Sequence, residues 1–432
     1  MKRGDRSAPI PVRSEEEIVS AVQRAREEQA GVRAAGSGGS KSEVTADRGE
    51  ALRIDLPDRL LEVSGNLVTV PAGMTCGRLQ ELLRAEGLTL PTVGEWRNAT
   101  VAGSLATATH GGSARHGIMS ASVESFRLVT GTGEVREVAS GDPDFAHLAV
   151  SMGAFGIVST VKLACEPHFA LRMETDVVPF EEYVADPVAQ ESRREFHASV
   201  WVTGAGRVIR FGADRIEGAD RTAGTGRMAG KARSGHRRQR FGKQTAMATF
   251  IARRLGFHRA LASSLFRQTA VGDCADILTP LDVPPRVARF RNRANEVRRR
   301  RAAELAVPAD RAQEVLTRLD VFFRANQGPL NNPIGLRMSA ADEFTVSPCQ
   351  GRDTLWLDIF YDAVEPFQSE LAALGEELGA RCHWGKTLAL SPALLRSRYD
   401  GWEDYRAARA RFDPDEVFAN AYTDALGLTG SG

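Results

Sequence analysis

The chain has 432 residues, a formal net charge of +1, 42% hydrophobic residues and 26% charged residues. This is long enough for two domains and has the composition of a globular protein, which excludes a disordered or fibrous chain. The balanced charge excludes a global attraction to nucleic acid, and no apolar run is long enough to span a bilayer.

The five cysteines, Cys76, Cys165, Cys274, Cys349 and Cys382, are scattered, with no CxxC pair. Reduced thiols in a cytoplasm are therefore expected, and no metal site. The N-terminus has basic residues without an apolar core, so no signal peptide is expected.

In chain order, Pro9–Pro11 reads as extended and Ser14-Glu15-Glu16-Glu17 as a capped, acidic helix start. Ile18, Val22 and Ala25 repeat at helical spacing through Glu28. Val32–Ala35 predicts a short strand that runs into Gly36-Ser37-Gly38-Gly39-Ser40. Leu52–Leu56 alternates as a strand, and Leu60–Val63 with Leu67–Val70 predicts a hairpin around Gly65-Asn66. A helix is expected from Thr75 to Gly87. Then comes a run of small residues, Thr100–Gly117, TVAGSLATATHGGSARHG, expected as a loop. Ser125–Val129 and Glu134–Val138 flank the turn Thr130–Gly133, a strong hairpin signal, and Ile157–Leu163 follows Gly153-Ala154-Phe155-Gly156 as another strand.

Three small-residue stretches thus occur in one domain, each beside a strand-like run. Such stretches let backbone approach a ligand closely and turn N–H groups toward an anion. Together they point to a large phosphate-bearing ligand. It is not held in a Rossmann fold: Gly36-Ser37-Gly38 starts a GxGxxG pattern that Gly39-Ser40-Lys41 does not complete, and no Walker A pattern occurs.

Beyond Pro167 the composition changes. Ser199–Val202 and Val208–Phe211 read as strands. Between Ala219 and Arg301 there are 20 Lys and Arg against 5 acids, so the neutral total hides an asymmetry. Within that segment Ala246–Phe266 has helical apolar spacing. Three readings stand for it: solvated faces that pair with the acidic remainder, a surface for peripheral contact with anionic lipid or an anionic carrier, or recognition of a phosphorylated or nucleotide-linked substrate. No nucleic-acid-binding motif accompanies the charge. Ala302–Pro308, Ile334–Met338 and Leu355–Phe360 predict strands, Pro308–Phe323 and Pro366–Gly379 predict helices, and the motif His383-Trp384-Gly385-Lys386 comes after them.

The sequence VRAAGSGGS, then VPAGMTCGRLQELLRAEGLTLP, TVAGSLATATHGGS and GAFGIVSTV resembles the vanillyl-alcohol-oxidase superfamily of FAD enzymes. Within it the likeness is greatest to alditol oxidases and aldonolactone oxidases, and it returns in HWGK and in FDPDEVFANA near the C-terminus. The resemblance implies an α+β fold. Residues 1–168 would form a two-lobed FAD-binding domain. Residues 169–386 would form a substrate domain with an antiparallel sheet and flanking helices, and 387–432 would return to the FAD domain. It implies FAD contacts from Gly36, Ser37, Gly38, Gly39 and Ser40; from Ser104, Thr107, Thr109, His110, Gly111, Gly112, Ser113 and Gly117; and from Gly153, Gly156, Ile157 and Val158.

In the family a His in the first turn often carries the flavin covalently. Gly39 stands there, which predicts non-covalent FAD. By position Arg337 and Lys386 fit the family's catalytic groups, with Asp358 and Tyr361 as further candidates. A family Glu is replaced by Gly335 and a family His by Asp358, so simple alditols are expected to be poor substrates. A Lys386 desolvated near Arg337 would lose its proton easily and could serve as base; kept charged, it would instead stabilise negative charge developing on the flavin or the substrate oxygen. The implied activity is oxidation of an alcohol carbon of a sugar, polyol or lactone by hydride transfer to flavin. The implied substrate is a small hydroxylated molecule, with an anionic or carrier-linked one left open. The alternative is a flavin-binding biosynthetic protein that performs a non-oxidative step or has lost this chemistry.

Overall fold

Ser14 caps the first helix, Glu15–Glu27, by accepting from the N–H of Glu17, and the helix buries Ile18, Ala21, Val22 and Ala25. In the computed structural model, which describes residues 8–44, 49–203, 206–215, 270–274, 300–326, 329–330 and 333–430, that stripe packs on a three-stranded parallel sheet. Its strands β1 (Ile10–Val12), β2 (Gly31–Ala34) and β3 (Gly49–Ile54) lie in the order β1-β3-β2. The same apolar cluster takes in Val129, Ile157, Val417 and Phe418, so this lobe's core is completed by distant parts of the chain. Buried Arg33 strengthens the junction: it donates to the carbonyls of Phe418 and of Met152, the latter at 2.7 Å.

The second lobe is a five-stranded antiparallel sheet in the order β4-β5-β9-β7-β8. These strands are β4 (Glu62–Ser64), β5 (Leu67–Pro71), β7 (Val123–Val129), β8 (Val135–Ala139) and β9 (Ile157–Ala164). β9 alternates buried and half-buried residues, as a strand with one face on a core must. The helices Cys76–Ala85 and Val101–Ala106 share that core through Leu79, Leu83, Val101 and Leu105. The second of these corrects the sequence reading, which expected loop. Thr100 accepts from the N–H of Gly103 and so starts a short helix inside the small-residue run. A two-stranded pairing of β6 (Leu88–Thr89) with β10 (Glu166–Pro167) leads from this lobe into the third layer.

That third layer is an eight-stranded antiparallel sheet in the order β14-β11-β13-β12-β16-β17-β15-β18. The strands are β11 (Leu171–Pro179), β12 (Phe196–Val202), β13 (Arg207–Arg215), β14 (Ala270–Cys274), β15 (Arg300–Pro308), β16 (Ile334–Ser339), β17 (Thr354–Asp362) and β18 (Arg381–Cys382). One face is closed by the helices Ala312–Ala325 and Phe367–Glu377: Phe323 lies 5.6 Å from Trp201, and Phe367 lies 5.3 Å from Tyr361, between ring centroids. The opposite face looks toward the small-residue stretches. Most of the basic segment, with the helical pattern at Ala246–Phe266, lies outside the described residues. Among the described residues no helix is long and apolar enough to cross a membrane.

Candidate active site

Side chains alternate across a strand, so register decides which residues share a face. Gly335 pairs with Asp358, and Asp358 pairs with Glu304, which sets these three in a row across β16, β17 and β15. Arg337 and Trp356 form the next row. Tyr361 has the opposite parity to Asp358 and is buried against Phe367. The register therefore separates Tyr361 from the other candidates.

The small-residue stretch meets this face through His110. Its ring stacks on Trp356 with centroids 3.9 Å apart and planes 6° from parallel. Its Nε2 lies 3.1 Å from Glu304 Oε1, and its Nδ1 lies 2.8 Å from the carbonyl oxygen of Gly111. Lys386 arrives from the turn after β18. There the N–H of His383 donates to Glu304 O, and the N–H groups of Gly385 and Lys386 donate to His383 Nδ1 and O. The Lys386 ammonium then lies 3.0 Å from Asp358 Oδ1 and 3.2 Å from Glu304 Oε2.

These contacts decide the charge states. Burial alone would push the Lys386 ammonium down, but Asp358 and Glu304 outweigh it and hold it above the usual lysine value. This corrects the expectation of an easily deprotonated Lys386: its close neighbours are carboxylates, not Arg337. Burial also opposes ionisation of Glu304, yet Lys386, His110 and His383 keep it well below the carboxylate range. Asp358 is raised, because burial and the Glu304 charge exceed the help of Lys386. Burial pushes His383 down to about 3, so its ring is neutral at physiological pH.

Arg337 is ion-paired with Glu95, which reaches over from the loop before the small-residue stretch. Its Nε is buried without a hydrogen-bond partner, and its Cδ lies 3.4 Å from where a Cβ of Gly112 would stand. Here β12 and β16 diverge. Their last pair is Ser199 with Leu336, and Gly112–Ser113 enters the gap beyond it. The N–H of His197 donates to Gly112 O at 2.8 Å and that of Ser113 to Met338 O at 2.9 Å, while Ser113 bridges Ser339. Ser113 Oγ also donates to Glu195 O at 2.5 Å. A Cβ on Gly112 would stand 1.8 Å from the His197 carbonyl oxygen, so only glycine fits.

The remaining predicted residues line the same junction or its approaches. Gly36 lies against Thr100. Past the Gly36–Ser40 turn, the N–H of Lys41 and the Oγ of Ser42 donate to Gly385 O and Trp384 O, both at 2.7 Å, which brings the first stretch to the HWGK turn. Thr107 adjoins Gly385, Thr109 adjoins Gly94, Gly111 adjoins Thr92 and Val93, and Gly117 adjoins Ala121. Ser104 is buried beside Cys76. Gly153 lies beside Arg33 and Gly156 opposite Val129, where Ile157 and Val158 open β9. Gly153 thus meets β2 through Arg33, and Ile157 shares an apolar cluster with Val32.

Sequence reasoning missed Glu304, Glu95 and His197. Glu304 carried a signal: it is the one charged residue in the run Ala302–Pro308, and an acid inside a buried strand needs a partner. Glu95 sits in a loop and carried none. His110, Glu304 and His383 are buried with ligand-capable atoms within 4.8 Å of one another. The Lys386 ammonium already occupies the cationic position beside Glu304, so the group is satisfied without an ion.

The residues present fit FAD. The orphaned Arg337 Nε offers a buried donor beside Gly112. The first turn is exposed from Gly36 to Gly38, and nothing lies within 4 Å of a Cβ on Gly38, which leaves backbone open to a diphosphate. Similarity to known proteins agrees. Residues 8–139 match the FAD binding domain family, and residues 287–426 match the D-arabinono-1,4-lactone oxidase family. The L-gulono-1,4-lactone dehydrogenase of Mycobacterium tuberculosis is 30% identical, covering 96% of this chain and 95% of that protein. The alditol oxidase of a Streptomyces species is 27% identical, over 90% of this chain and 89% of its own. Among solved structures, a solvent-stable cholesterol oxidase superposes with a TM-score of 0.71 at 19% identity, covering 96% of this chain and 94% of that one, which speaks for the fold alone. This chain therefore belongs to the aldonolactone and alditol oxidoreductases of the vanillyl-alcohol-oxidase superfamily, FAD-dependent enzymes that act on CH–OH groups.

Proposed function

We propose that the enzyme oxidises a CH–OH carbon of a neutral aldono-1,4-lactone or, less well, an alditol, with FAD bound without a covalent link. Bound FAD supplies the acceptor for the hydride that leaves the substrate carbon. The chain's own groups handle the proton and the charge. Asp358 takes the hydroxyl proton: its carboxyl is raised by burial, which brings it closer to the range of a useful base than Glu304. Lys386 stays charged and stabilises negative charge that develops beside it. Glu304 anchors Lys386 and His110, and so holds one loop from each domain on the same carboxylate.

Three carboxyl groups, Glu95, Asp358 and Glu304, stand around the two cations Arg337 and Lys386. Among the described residues of this cluster no surplus positive charge remains to hold an anion, and this supports a neutral substrate over the anionic one that the sequence left open. Non-covalent FAD is supported at Gly39, where the ring of Trp96 stands 1.9 Å from the position a Cβ would take. A cytoplasmic location is supported by Cys76, Cys165, Cys349 and Cys382, all buried and free.

The Lys386–Asp358–Glu304–His110 array is the observation that carries this reading. Its test is the anaerobic absorbance of the purified yellow protein on addition of L-gulono-1,4-lactone, D-arabinono-1,4-lactone or xylitol. At least one is expected to bleach the flavin. Bleaching by none of them would remove the reading.

A further inference from the structure

We propose that Glu95 is a substrate-binding residue: its carboxylate, supplied from the FAD-binding side, accepts hydrogen bonds from substrate hydroxyls above the place left bare by Gly335. The inference rests on the function proposed above and adds a residue that sets specificity.

Residues two apart on a strand share a face, so a side chain at 335 would stand beside Arg337 and directly across from Asp358. Gly335 has none. A Cβ there would touch only the Cβ of Asp358, at 3.3 Å, and nothing else within 4 Å. The sheet therefore presents Arg337 and Asp358 with an unfilled position between β16 and its neighbour. Arg337 nevertheless has a carboxylate partner, and it comes from the facing domain.

That partner is held in place. A Cβ on Gly94 would lie 2.4 Å from Thr109 Cγ2, and Trp96 packs on Gly39, so the residues on both sides of Glu95 are seated against the second and first small-residue stretches. A carboxylate delivered by a loop fixed at both flanks is ordered before substrate arrives. Of the ion pair, Glu95 is the accessible end: its side chain is 28% exposed and that of Arg337 10%. A carboxylate has about four lone-pair sites. Arg337 occupies part of that capacity, and the exposure of the side chain leaves the rest open to another donor. Arg337 stands two residues along β16 from the bare position, on the same face, so the carboxylate it holds is on the side of the sheet where Asp358 lies. Carboxylate acceptors on two sides and a guanidinium beside them suit a molecule rich in neutral hydroxyls.

The test uses the holoenzyme and stopped-flow flavin reduction by L-gulono-1,4-lactone, D-arabinono-1,4-lactone and xylitol, with concentration series that separate the apparent Kd from the limiting rate. Glu95→Gln is expected to keep its FAD and to raise the apparent Kd about 10- to 100-fold, the range for losing a hydrogen bond to a charged group, with the limiting rate changed less than about threefold. Adding Gly335→Glu to Glu95→Gln is expected to restore part of the binding, since it returns a carboxylate to the same place from the strand. An unchanged Kd in Glu95→Gln, or loss of its FAD, overturns the inference and leaves the proposed function standing. So does a Glu95→Gln/Gly335→Glu protein that keeps FAD and recovers no binding. Wild-type flavin that none of the three compounds reduces overturns both.

Discussion

Met338 donates its backbone N–H to Nε2 of His197 at 3.0 Å, where a neighbouring strand would ordinarily offer a carbonyl. The strands have parted there to admit Gly112–Ser113, and the imidazole fills the role of the missing carbonyl. A ring nitrogen that accepts carries no proton to donate, so Glu191 Oε2, 2.9 Å from the same Nε2, is left without a hydrogen bond. His197 thus closes the wedge that holds the flavin-side loop against Arg337.

His197→Leu should orphan the Met338 N–H, a cost of about 1–3 kcal/mol, and loosen the Gly112 contact. A lower thermal midpoint and weaker FAD retention are expected. His197→Gln, whose amide oxygen can take the accepting position, should fall between the two. Midpoints measured with and without added FAD check this; a His197→Leu protein equal to wild type in both would show that the wedge holds without the imidazole.

Lys386 stands between two buried carboxylates, so its removal should cost stability as well as activity. Lys386→Met takes from Asp358 and Glu304 the ammonium they share and leaves Glu304 with His110, and the loss is about 3 kcal/mol, the low end for breaking a buried pair, because a quarter of the lysine side chain stays exposed. The pH dependence is set by the signs of the shifts. Lys386 is raised above its unfolded value, so its contribution is intact through neutral pH and fades only in strong alkali. Glu304 is lowered, so its contribution is lost only as pH falls through its folded value. In Lys386→Met the carboxyls rise instead, and protonation relieves them in acid. The gap between wild type and variant, read by denaturant unfolding, should therefore widen from pH 5 to pH 8. Lys386→Arg should keep most of the stability and of the flavin reduction rate, since the fixed charge is retained; a rate as low as that of Lys386→Met would return proton transfer to Lys386.

The indole of Trp96 stands where a side chain at 39 would begin, so acid precipitation should release FAD intact into the supernatant. Gly39→Ala should displace the ring at a cost of roughly 1–3 kcal/mol, the range for overpacking, and FAD should dissociate more readily on dilution. Flavin that stays with the pellet, or an alanine variant with unchanged FAD affinity, would contradict this.

Local features were legible in the sequence because they depend on neighbours: the Ser14 cap, the Thr130–Gly133 turn, the strand in Leu355–Phe360 and the small-residue stretches. The start of the Thr100–Gly117 run was misjudged because small residues serve a tightly packed helix as readily as a loop, and the Thr100 cap settled it. The site was legible only in part. Lys386 and Asp358 stood out, but their charge states depend on Glu304, which β15 brings beside Asp358 by a pairing between distant segments. Strand alternation in Leu355–Asp362 already separates Asp358 from Tyr361. Which of the two faces meets the flavin-side loop depends on helices packed beneath the sheet, and periodicity cannot supply that.

Asp342 gives a prediction away from the catalytic row. It lies in the loop between β16 and β17, where its carboxyl accepts from the Ser347 hydroxyl at 2.6 Å and the Phe344 N–H at 3.1 Å. Burial dominates over these bonds and over Arg381, and raises the carboxyl from 3.8 to about 6. A folded value above the unfolded one means that the fold favours the protonated acid. The stabilisation is complete below the unfolded value and is lost as pH rises through 6. A shift of this size corresponds to roughly 3 kcal/mol across the window. Asp342→Asn keeps the shape and one carbonyl acceptor, and its amide can donate to Ser347 Oγ, so the variant needs no proton. At pH 8 it should match or exceed wild type in denaturant midpoint, and at pH 4.5 it should lose that advantage. Unfolding curves of the holoenzyme at the two pH values decide it. An Asp342→Asn protein less stable than wild type by the same amount at both would mean that the ionised carboxylate is the form the loop was built to hold.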